Sequence, residues 1–147
     1  MSPAEDQSAT DERVVPRLGD VLDMSTFNQI LEMDEPDDHD FSFSIVFGFF
    51  EQAEDTFKGM DDALAASDLE KLSSLGHFLK GSSATLGLVK VREGCEKIQR
   101  YGKKENVDGS PEPNEALCLN RIRDELKAVK EDIDEAHRAF NSYYDKD

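Results

Sequence analysis

The spacing of apolar residues along the chain predicts helices, and the two clearest runs lie in its middle and at its end. Over residues 41–66, apolar side chains recur at intervals of mostly three, four or seven, which lines one face of a helix. They are Phe43, Phe47, Phe50, Phe57, Met60 and Leu64. From Ile122 onward, apolar positions alternate four and three apart, as in a long helix packed along others at a shallow angle. They are Leu126, Val129, Ile133, Ala136, Phe140 and Tyr143. We expect the first of these two helices to be the most buried.

Two further helices are predicted between these runs, the first from its capping residues and the second from its apolar spacing. Ser67 followed by Glu70 matches the capping box that opens a helix, and Gly87 stands where a glycine cap would end it. Another long helix is predicted over residues 89–104, because its apolar residues fall on one side. They are Val91, Cys95 and Ile98. The Asp-Gly-Ser-Pro stretch at 108–111 predicts the loop that follows.

The N-terminal part is predicted to be a tail followed by one short helix. Residues 1–20 mix Ser, Pro, Asp and Glu without apolar periodicity, so burial cannot offset the entropy lost on ordering. Ser25 is placed to cap a short helix that ends at Met33. The sequence therefore predicts an all-α protein. Residues 1–20 are predicted to form a disordered acidic tail. Residues 21–147 are predicted to form an antiparallel four-helix bundle domain that includes a short additional N-terminal helix.

Composition narrows the kinds of partner. The 147 residues include 33 acidic and 17 basic side chains, which gives a net charge of −16. Because this charge repels nucleic acid and anionic lipid, we expect partners that are proteins, with no nucleic acid and no membrane. Without an apolar run of about 20 residues or a leader-like N-terminus, the expected location is the cytoplasm, with nuclear entry left open. Cys95 and Cys118 form no Cys-x-x-Cys pair, so we expect reduced residues within helices.

One histidine is predicted to face solvent from the helix that ends at Gly87. At about 100° per residue, four leucines cluster on one side of this helix, and His77 points almost directly away from them. The leucines are Leu72, Leu75, Leu79 and Leu86. The outer face around His77 is expected to be flat and weakly charged. Its residues are Ser73, Ser74, Lys80, Gly81 and Ala84.

This arrangement suits phosphoryl carriage. The reference pKa of imidazole is about 6.5, so a solvated imidazole is largely neutral at pH 7 and its free nitrogen can attack an acyl phosphate. Lys80, one turn from His77, is placed to offset the incoming negative charge. Gly81 costs about 1 kcal/mol of helix propensity relative to Ala, and close approach by a partner would explain its presence. On the next helix, Gln99 and Lys103 lie four apart and could lean over their neighbour.

The chain carries no nucleotide-binding signature. Residues 76–83 imitate the spacing of a phosphate-binding loop but lack the lysine that must follow its second glycine. We therefore expect a protein that is not an autonomous ATP-dependent kinase and that has no cofactor or metal site of its own. Its phosphate must arrive from another protein.

Two segments resemble a known family. Residues 77–87, His-Phe-Leu-Lys-Gly-Ser-Ser-Ala-Thr-Leu-Gly, closely resemble the phosphorylation-site helix of histidine-containing phosphotransfer (HPt) proteins. Residues 95–99, Cys-Glu-Lys-Ile-Gln, followed by Gly-Lys-Lys at 102–104, further resemble the fungal members that serve osmosensing relays. The resemblance implies His77 as the phosphoacceptor.

The resemblance also implies roles for its neighbours. Lys80 and Gly81 would support the phosphate and partner docking, and Gln99 matches a hydrogen-bonding position. Family members commonly have arginine at the position of Lys103. Lysine keeps the positive charge there but cannot form the bidentate hydrogen bonds of arginine. Docking is expected through an apolar patch on the short first helix, near Phe78. The residues expected to take part in docking are Gly81, Phe78, Ser82, Met24, Ile30 and Met33.

The function that the resemblance implies is that of a phosphorelay intermediate. His77 would accept a phosphoryl group from the aspartyl phosphate of the receiver domain of a hybrid histidine kinase and hold it as phosphohistidine. It would then pass the group to the aspartate of a downstream response regulator. The receivers would supply Mg²⁺, and the chain would act as a monomer.

A hypothesis from a different class stays open. In it, the chain is a noncatalytic helical adaptor that binds a signalling partner through the same face, and His77 never carries phosphate. Composition and periodicity do not separate the two hypotheses. An acid-labile, base-stable label on the chain after incubation with a phosphorylated receiver would distinguish them.

Overall fold

The structure, a computed structural model, describes residues 17–144 of the chain. Its helices are α1 (Leu18–Val21), α2 (Met24–Leu31), α3 (Asp40–Ala65), α4 (Leu69–Leu86), α5 (Val89–Gly102) and α6 (Glu115–Tyr143). None of the helices in this range is long and apolar enough to cross a membrane.

The four long helices form a bundle. α3 packs against α4, α4 against α5, α5 against α6, and α6 back against α3. Because short connections join α3 to α4 and α4 to α5, the chain reverses direction at each of them, and these neighbours are antiparallel. The predicted all-α antiparallel four-helix bundle is confirmed.

The N-terminal region holds two short helices where one was predicted. α1 packs against α6, and its Leu18 is buried. The prediction of a tail over residues 1–20 is therefore wrong at its end, because burial of an apolar side chain anchors the chain before residue 20. The remainder of the predicted tail, residues 1–16, lies outside the described residues.

Two helices begin at aspartates and not at the predicted serines. The carboxylate of Asp23 accepts a hydrogen bond from the Ser25 amide at 3.0 Å, which makes Asp23 the cap of α2. Asp68 caps α4 in the same way by accepting from the Lys71 amide at 3.0 Å. Ser67 precedes that cap with a left-handed φ of 54°, so its predicted capping box does not form. The carboxylate of an aspartate is as good a cap as a serine hydroxyl, and sequence alone did not choose between adjacent candidates.

The predicted helix ends agree better with the structure. Gly87 ends α4 with φ at 84°, the left-handed conformation that glycine adopts without strain. The loop predicted after α5 is a turn in which Gly109 has φ at 89° and Asp108 accepts from the Ser110 amide at 2.9 Å. α5 itself ends at Gly102, just before the predicted boundary.

The core face of α3 is not the predicted aromatic stripe. Its buried residues are Ser42, Val46, Phe49, Ala53, Thr56, Met60 and Ala63. Only Met60 belongs to both sets; Phe43, Phe47, Phe50, Phe57 and Leu64 are half-buried. Both sets have helical spacing, so periodicity alone did not choose the buried side. α3 is also not the most buried helix, since seven of its 26 residues are buried against six of 18 in α4.

α5 and α6 supply the rest of the core. The predicted residues Val91, Cys95 and Ile98 of α5 are buried. On α6 the buried residues include Leu126, Val129, Ile133, Ala136 and Phe140, as predicted. Tyr143 is 44% exposed at the end of the helix, contrary to the prediction. α6 begins earlier than predicted, at Glu115, because the Asn114 side chain caps it by accepting from the Leu117 amide.

Gly102 marks a close approach of α4 and α5. A Cβ atom there would lie 2.7 Å from the Leu69 carbonyl oxygen and 2.7 Å from the Ser73 amide nitrogen. We expect Gly102→Ala to lower the free energy of unfolding by about 1–3 kcal/mol, as overpacking of a tight contact does. Urea unfolding measures this loss. Gly48→Ala is the matched control, because nothing lies within 4 Å of its Cβ position. Equal stability of the two variants would contradict the close approach.

Candidate functional site

α4 presents His77 to solvent. Leu72, Leu79 and Leu86 are buried on the inner side of this helix, whereas His77 is exposed. The predicted outward orientation of His77 is confirmed. Among residues 17–144, no hydrogen bond or ion pair involves the His77 side chain, so both ring nitrogens are accessible to a partner.

The surface around His77 is open on one side. Ser74, Gly81 and Ala84 are exposed, as predicted, and nothing lies within 4 Å of the Cβ position of Gly81. Ser73 is buried, contrary to the prediction, because Gly102 of α5 packs directly against it. The open surface therefore runs along α4 from Ser74 past His77 to Ala84.

Lys80 is held in place by α5. Its Nζ donates to Glu96 Oε1 at 2.8 Å, and Glu96 Oε2 accepts from Nε of Arg100 at 2.7 Å. The hydrogen bond from Lys80 holds the pKa of Glu96 below its ordinary value, against partial burial and with help from Arg100. A cation thus lies one turn from His77, and an ion pair between two helices orients it.

A groove of about 600 Å³ runs between α4 and α5 beside Lys80. Its walls carry four cations and two carboxylates. The lining residues are Lys80, Gly81, Ala84, Arg92, Glu93, Glu96, Lys97, Arg100 and Val107. In a chain of net charge −16, this local excess of positive charge favours an anionic group beside the exposed face of α4.

Gln99 lies where α5 passes the residue before His77. A Cβ atom on Gly76 would be 3.2 Å from the Gln99 amide nitrogen, so the two backbones are close at this level. The Gln99 side-chain oxygen, Oε1, is buried and has no hydrogen-bond partner within the described part of the chain. Because buried polar atoms are normally paired, this unpaired oxygen sets Gln99 apart among the residues that α5 places beside α4.

Lys103 is separated from Lys80. It lies at the end of α5 and lines a different hollow, together with Glu70, Ser73 and Ser74 of α4. Its ammonium group makes no ion pair within residues 17–144. The structure therefore brings Lys103 to the N-terminal half of α4, and no hydrogen bond or ion pair joins it to His77 within residues 17–144.

The predicted docking residues differ in exposure. Met33 and Phe78 are exposed, at 68% and 46%. Met24 and Ile30 are half-buried and pack against the core, so the predicted exposed patch on the first helix is smaller than expected. This is because α2 lies against α4 and uses part of its apolar face there. Ser82 is half-buried.

The two cysteines belong to the core. Cys95 and Cys118 are free and buried, in agreement with the prediction of reduced residues. Burial, with a contribution from Glu125, raises the pKa of the Cys95 thiol to about 12. A thiol with that pKa stays protonated at neutral pH and is a poor nucleophile.

Residues beyond those predicted from the sequence also shape the site. Glu96 orients Lys80, and Gly76 and Gly102 let α5 approach α4. The spacing of Glu96 and Arg100, four apart on a helix, was a visible signal for an ion pair. The contact between Glu96 and Lys80 had no such signal, because it depends on how the two helices are aligned.

Comparison with known proteins agrees with this arrangement. A family model for the Hpt domain matches residues 45–138, which include all of α4 and α5. The chain is 46% identical over 144 residues to multistep phosphorelay regulator 1 of Schizosaccharomyces pombe, covering 97% of this chain and 48% of that relative. It is 38% identical over 117 residues to the phosphorelay intermediate protein YPD1 of Saccharomyces cerevisiae, covering 79% of this chain and 68% of that relative.

A solved structure shows the same fold. The co-crystal structure of the Saccharomyces cerevisiae histidine phosphotransfer signaling protein Ypd1 with the receiver domain of its downstream response regulator Ssk1 matches with a TM-score of 0.76. The sequence identity is 28%, and the match covers 90% of this chain and 99% of that chain. The chain spans about half the length of the Schizosaccharomyces pombe relative.

Proposed function

Because the chain belongs to the Hpt domain family, we propose that it is a phosphorelay intermediate that carries a phosphoryl group on His77. The observation that carries the proposal is the exposed imidazole on α4, which has no other partner among the described residues. Lys80 lies one turn away, and the surface at Gly81 is open. These are the features that a nucleophile needs if a second protein must reach it.

The proposed reaction is a pair of phosphoryl transfers. An unprotonated ring nitrogen of His77 attacks the phosphorus of a receiver's aspartyl phosphate. The nitrogen–phosphorus bond forms while the bond from phosphorus to the aspartate oxygen breaks, and the aspartate leaves as a carboxylate. In the second transfer, an aspartate carboxylate of another receiver attacks the same phosphorus, and the imidazole leaves. Mg²⁺ bound in the receiver would neutralise charge on the transferred group.

Two further residues are proposed to position the phosphoryl group and the imidazole. Lys80 is held one turn from His77 by Glu96, and a charge-assisted hydrogen bond from its ammonium to the phosphoryl oxygens would offset their charge. The unpaired Oε1 of Gln99 is suited to accept a hydrogen bond from the imidazole N–H. Lys103, which lines a hollow together with Ser73 and Ser74, is assigned a weaker electrostatic role.

The proposed partners are receiver domains. The Saccharomyces cerevisiae relative was crystallised with the receiver domain of its downstream response regulator, which supports this class of partner. We assign the first transfer to the receiver domain of a hybrid histidine kinase and the second to a response regulator, as in a fungal osmosensing relay. Exposed Met33 and Phe78, with open Gly81, offer the docking surface. The proposed site of action is the cytoplasm and, where a response regulator resides there, the nucleus.

Replacing Lys80 with alanine is expected to slow transfer about tenfold, less than the loss of a donor in a water-excluded oxyanion hole, because Lys80 is partly exposed. Receiver affinity should change little, since the docking surface remains. Transfer reactions quenched at set times, at several receiver concentrations, separate the rate of phosphoryl transfer from the affinity for the receiver. Lys97→Ala removes the same charge from the other wall of the groove and is the matched control. Equal effects of the two variants would exclude a specific role for Lys80.

A transfer assay with two receivers tests the proposed function. One receiver domain is phosphorylated with a radioactive label and mixed with the chain, and a second, unlabelled receiver is then added. The label is expected to move to the chain in an acid-labile, base-stable form and then to the second receiver. A chain that binds both receivers without ever becoming labelled would instead be the noncatalytic adaptor.

A further inference from the structure

A second groove lies between α3 and α6, and none of the residues that line it belongs to α4 or α5. Its volume is about 450 Å³. Aromatic rings form much of its wall, and carboxylates stand beside them on both helices. The lining residues are Phe47, Phe50, Glu51, Glu54, Phe57, Lys130, Ile133, Asp134 and His137.

The aromatic residues of this groove are only partly buried. Phe47 and Phe50 are half-buried, with ring centroids 5.9 Å apart, while Val46 and Phe49 of the same helix fill the bundle interior. The His137 ring packs against Phe50 at 4.6 Å and so closes one part of the wall. Part of each ring therefore stays accessible from the groove. The faces of such rings attract cations.

The acidic residues of the groove have no partners in the described range. Glu51 and Glu54 on α3 and Asp134 on α6 take part in no ion pair and no side-chain hydrogen bond within residues 17–144. Asp61, on the same helix as the two glutamates, is by contrast paired with Lys130. The groove thus carries three carboxylates that form no direct ion pair with a cation of the described residues.

Lys130 shows how this surface holds a cation. Its Nζ donates to both carboxylate oxygens of Asp61, at 3.0 Å each, and lies 5.8 Å from the centre of the Phe57 ring. Further rings and carboxylates line the rest of the groove, and none of these carboxylates is in an ion pair within residues 17–144. The rest of the groove therefore carries the same kinds of chemical group as the Lys130 position, but its carboxylates are unpaired.

We propose that the groove between α3 and α6 binds a basic segment of a partner protein. An arginine or lysine side chain of that segment lies over Phe47 and Phe50, and Glu51, Glu54 and Asp134 meet its charge. Charge complementarity selects this occupant, because an acidic or neutral segment would leave the three carboxylates unpaired. Since the groove shares no lining residue with α4, the partner is held while His77 stays accessible. The inference does not rest on phosphoryl transfer.

The experiment uses the full chain and a short fluorescein-labelled peptide of alternating arginine and alanine, at physiological ionic strength. We expect saturable binding by fluorescence anisotropy, with amide NMR shifts concentrated at residues 47–57 and 130–137. The same peptide with citrulline in place of arginine keeps the shape without the charge and should not bind. Absence of arginine-peptide binding, or shifts centred on α4 and α5, would overturn the proposal.

Paired charge-neutralising variants test whether the groove itself is responsible. The double variant Glu51→Gln, Glu54→Gln is expected to weaken peptide binding about fivefold or more, since it removes both α3 carboxylates of the site. The control Asp55→Asn, Asp62→Asn removes the same charge from exposed positions of α3 outside the groove, and should weaken binding less than about twofold. Equal weakening by the two double variants would mean that the peptide senses only net charge, and the proposal would fail.

Discussion

Replacing His77 with glutamine is expected to reduce phosphoryl labelling of the chain to background while the fold stays intact. His77 is exposed and has no side-chain partner among the described residues, so the free energy of unfolding should change by less than about 0.5 kcal/mol. Glutamine has no ring nitrogen that could form the phosphoryl bond. Circular dichroism on heating checks the fold, and label transfer from a phosphorylated receiver checks the chemistry.

His137→Gln is the matched control for this experiment. His137 is also an exposed histidine on a helix, but it lies on α6 beside Phe47 and Phe50. Labelling should be unchanged in this variant. Label that survives in His77→Gln and disappears in His137→Gln would move the acceptor to α6.

Replacing Gly81 with glutamine is expected to give a stable protein that transfers phosphate about a hundredfold more slowly, because a displacement of about 1 Å at a reacting centre can cost that much. Nothing lies within 4 Å of the Gly81 Cβ position, so the new side chain meets no obstacle within the protein. Glutamine is also a better helix former, by about 0.5–1 kcal/mol. It projects one turn from His77 and obstructs the approach of a receiver's aspartate.

Melting temperature and transfer rate, measured on one preparation of Gly81→Gln, separate the two effects. Gly48→Gln makes the same replacement on α3, where the Cβ position is also open, and should leave transfer unchanged. An unfolded Gly81→Gln variant would show that this glycine serves helix packing. A stable variant with the wild-type rate would show that no receiver docks closely at this face.

The sequence predicted the bundle because amphipathic helices with short connections have few other ways to bury their apolar faces. The prediction failed at α3, where two sets of apolar residues lie on neighbouring sides of the helix. Val46, Phe49 and Ala53 face the core, whereas Phe47 and Phe50 lie at its margin. Periodicity measures spacing along one helix, and it contains no information about which side the neighbouring helices cover.

The candidate site was predictable where it depends on one helix and not where it depends on two. The orientation of His77 followed from the leucines of α4 alone. The contact of Lys80 with Glu96 depends on the alignment of α4 against α5, which the close backbone approaches at Gly76 and Gly102 help to determine. Such approaches arise from three-dimensional packing, so spacing within either helix could not reveal them.

Phosphorus NMR on the wild-type chain with nitrogen-15 in its histidines tests the central claim most directly. After incubation with a phosphorylated receiver and removal of that receiver, a single phosphorus signal should show coupling to one ring nitrogen, and peptide mapping should assign it to His77. The signal should vanish when a second, unphosphorylated receiver is added. A phosphorus signal without nitrogen coupling, or one assigned to His39 or His137, would contradict the proposal that His77 carries the phosphoryl group.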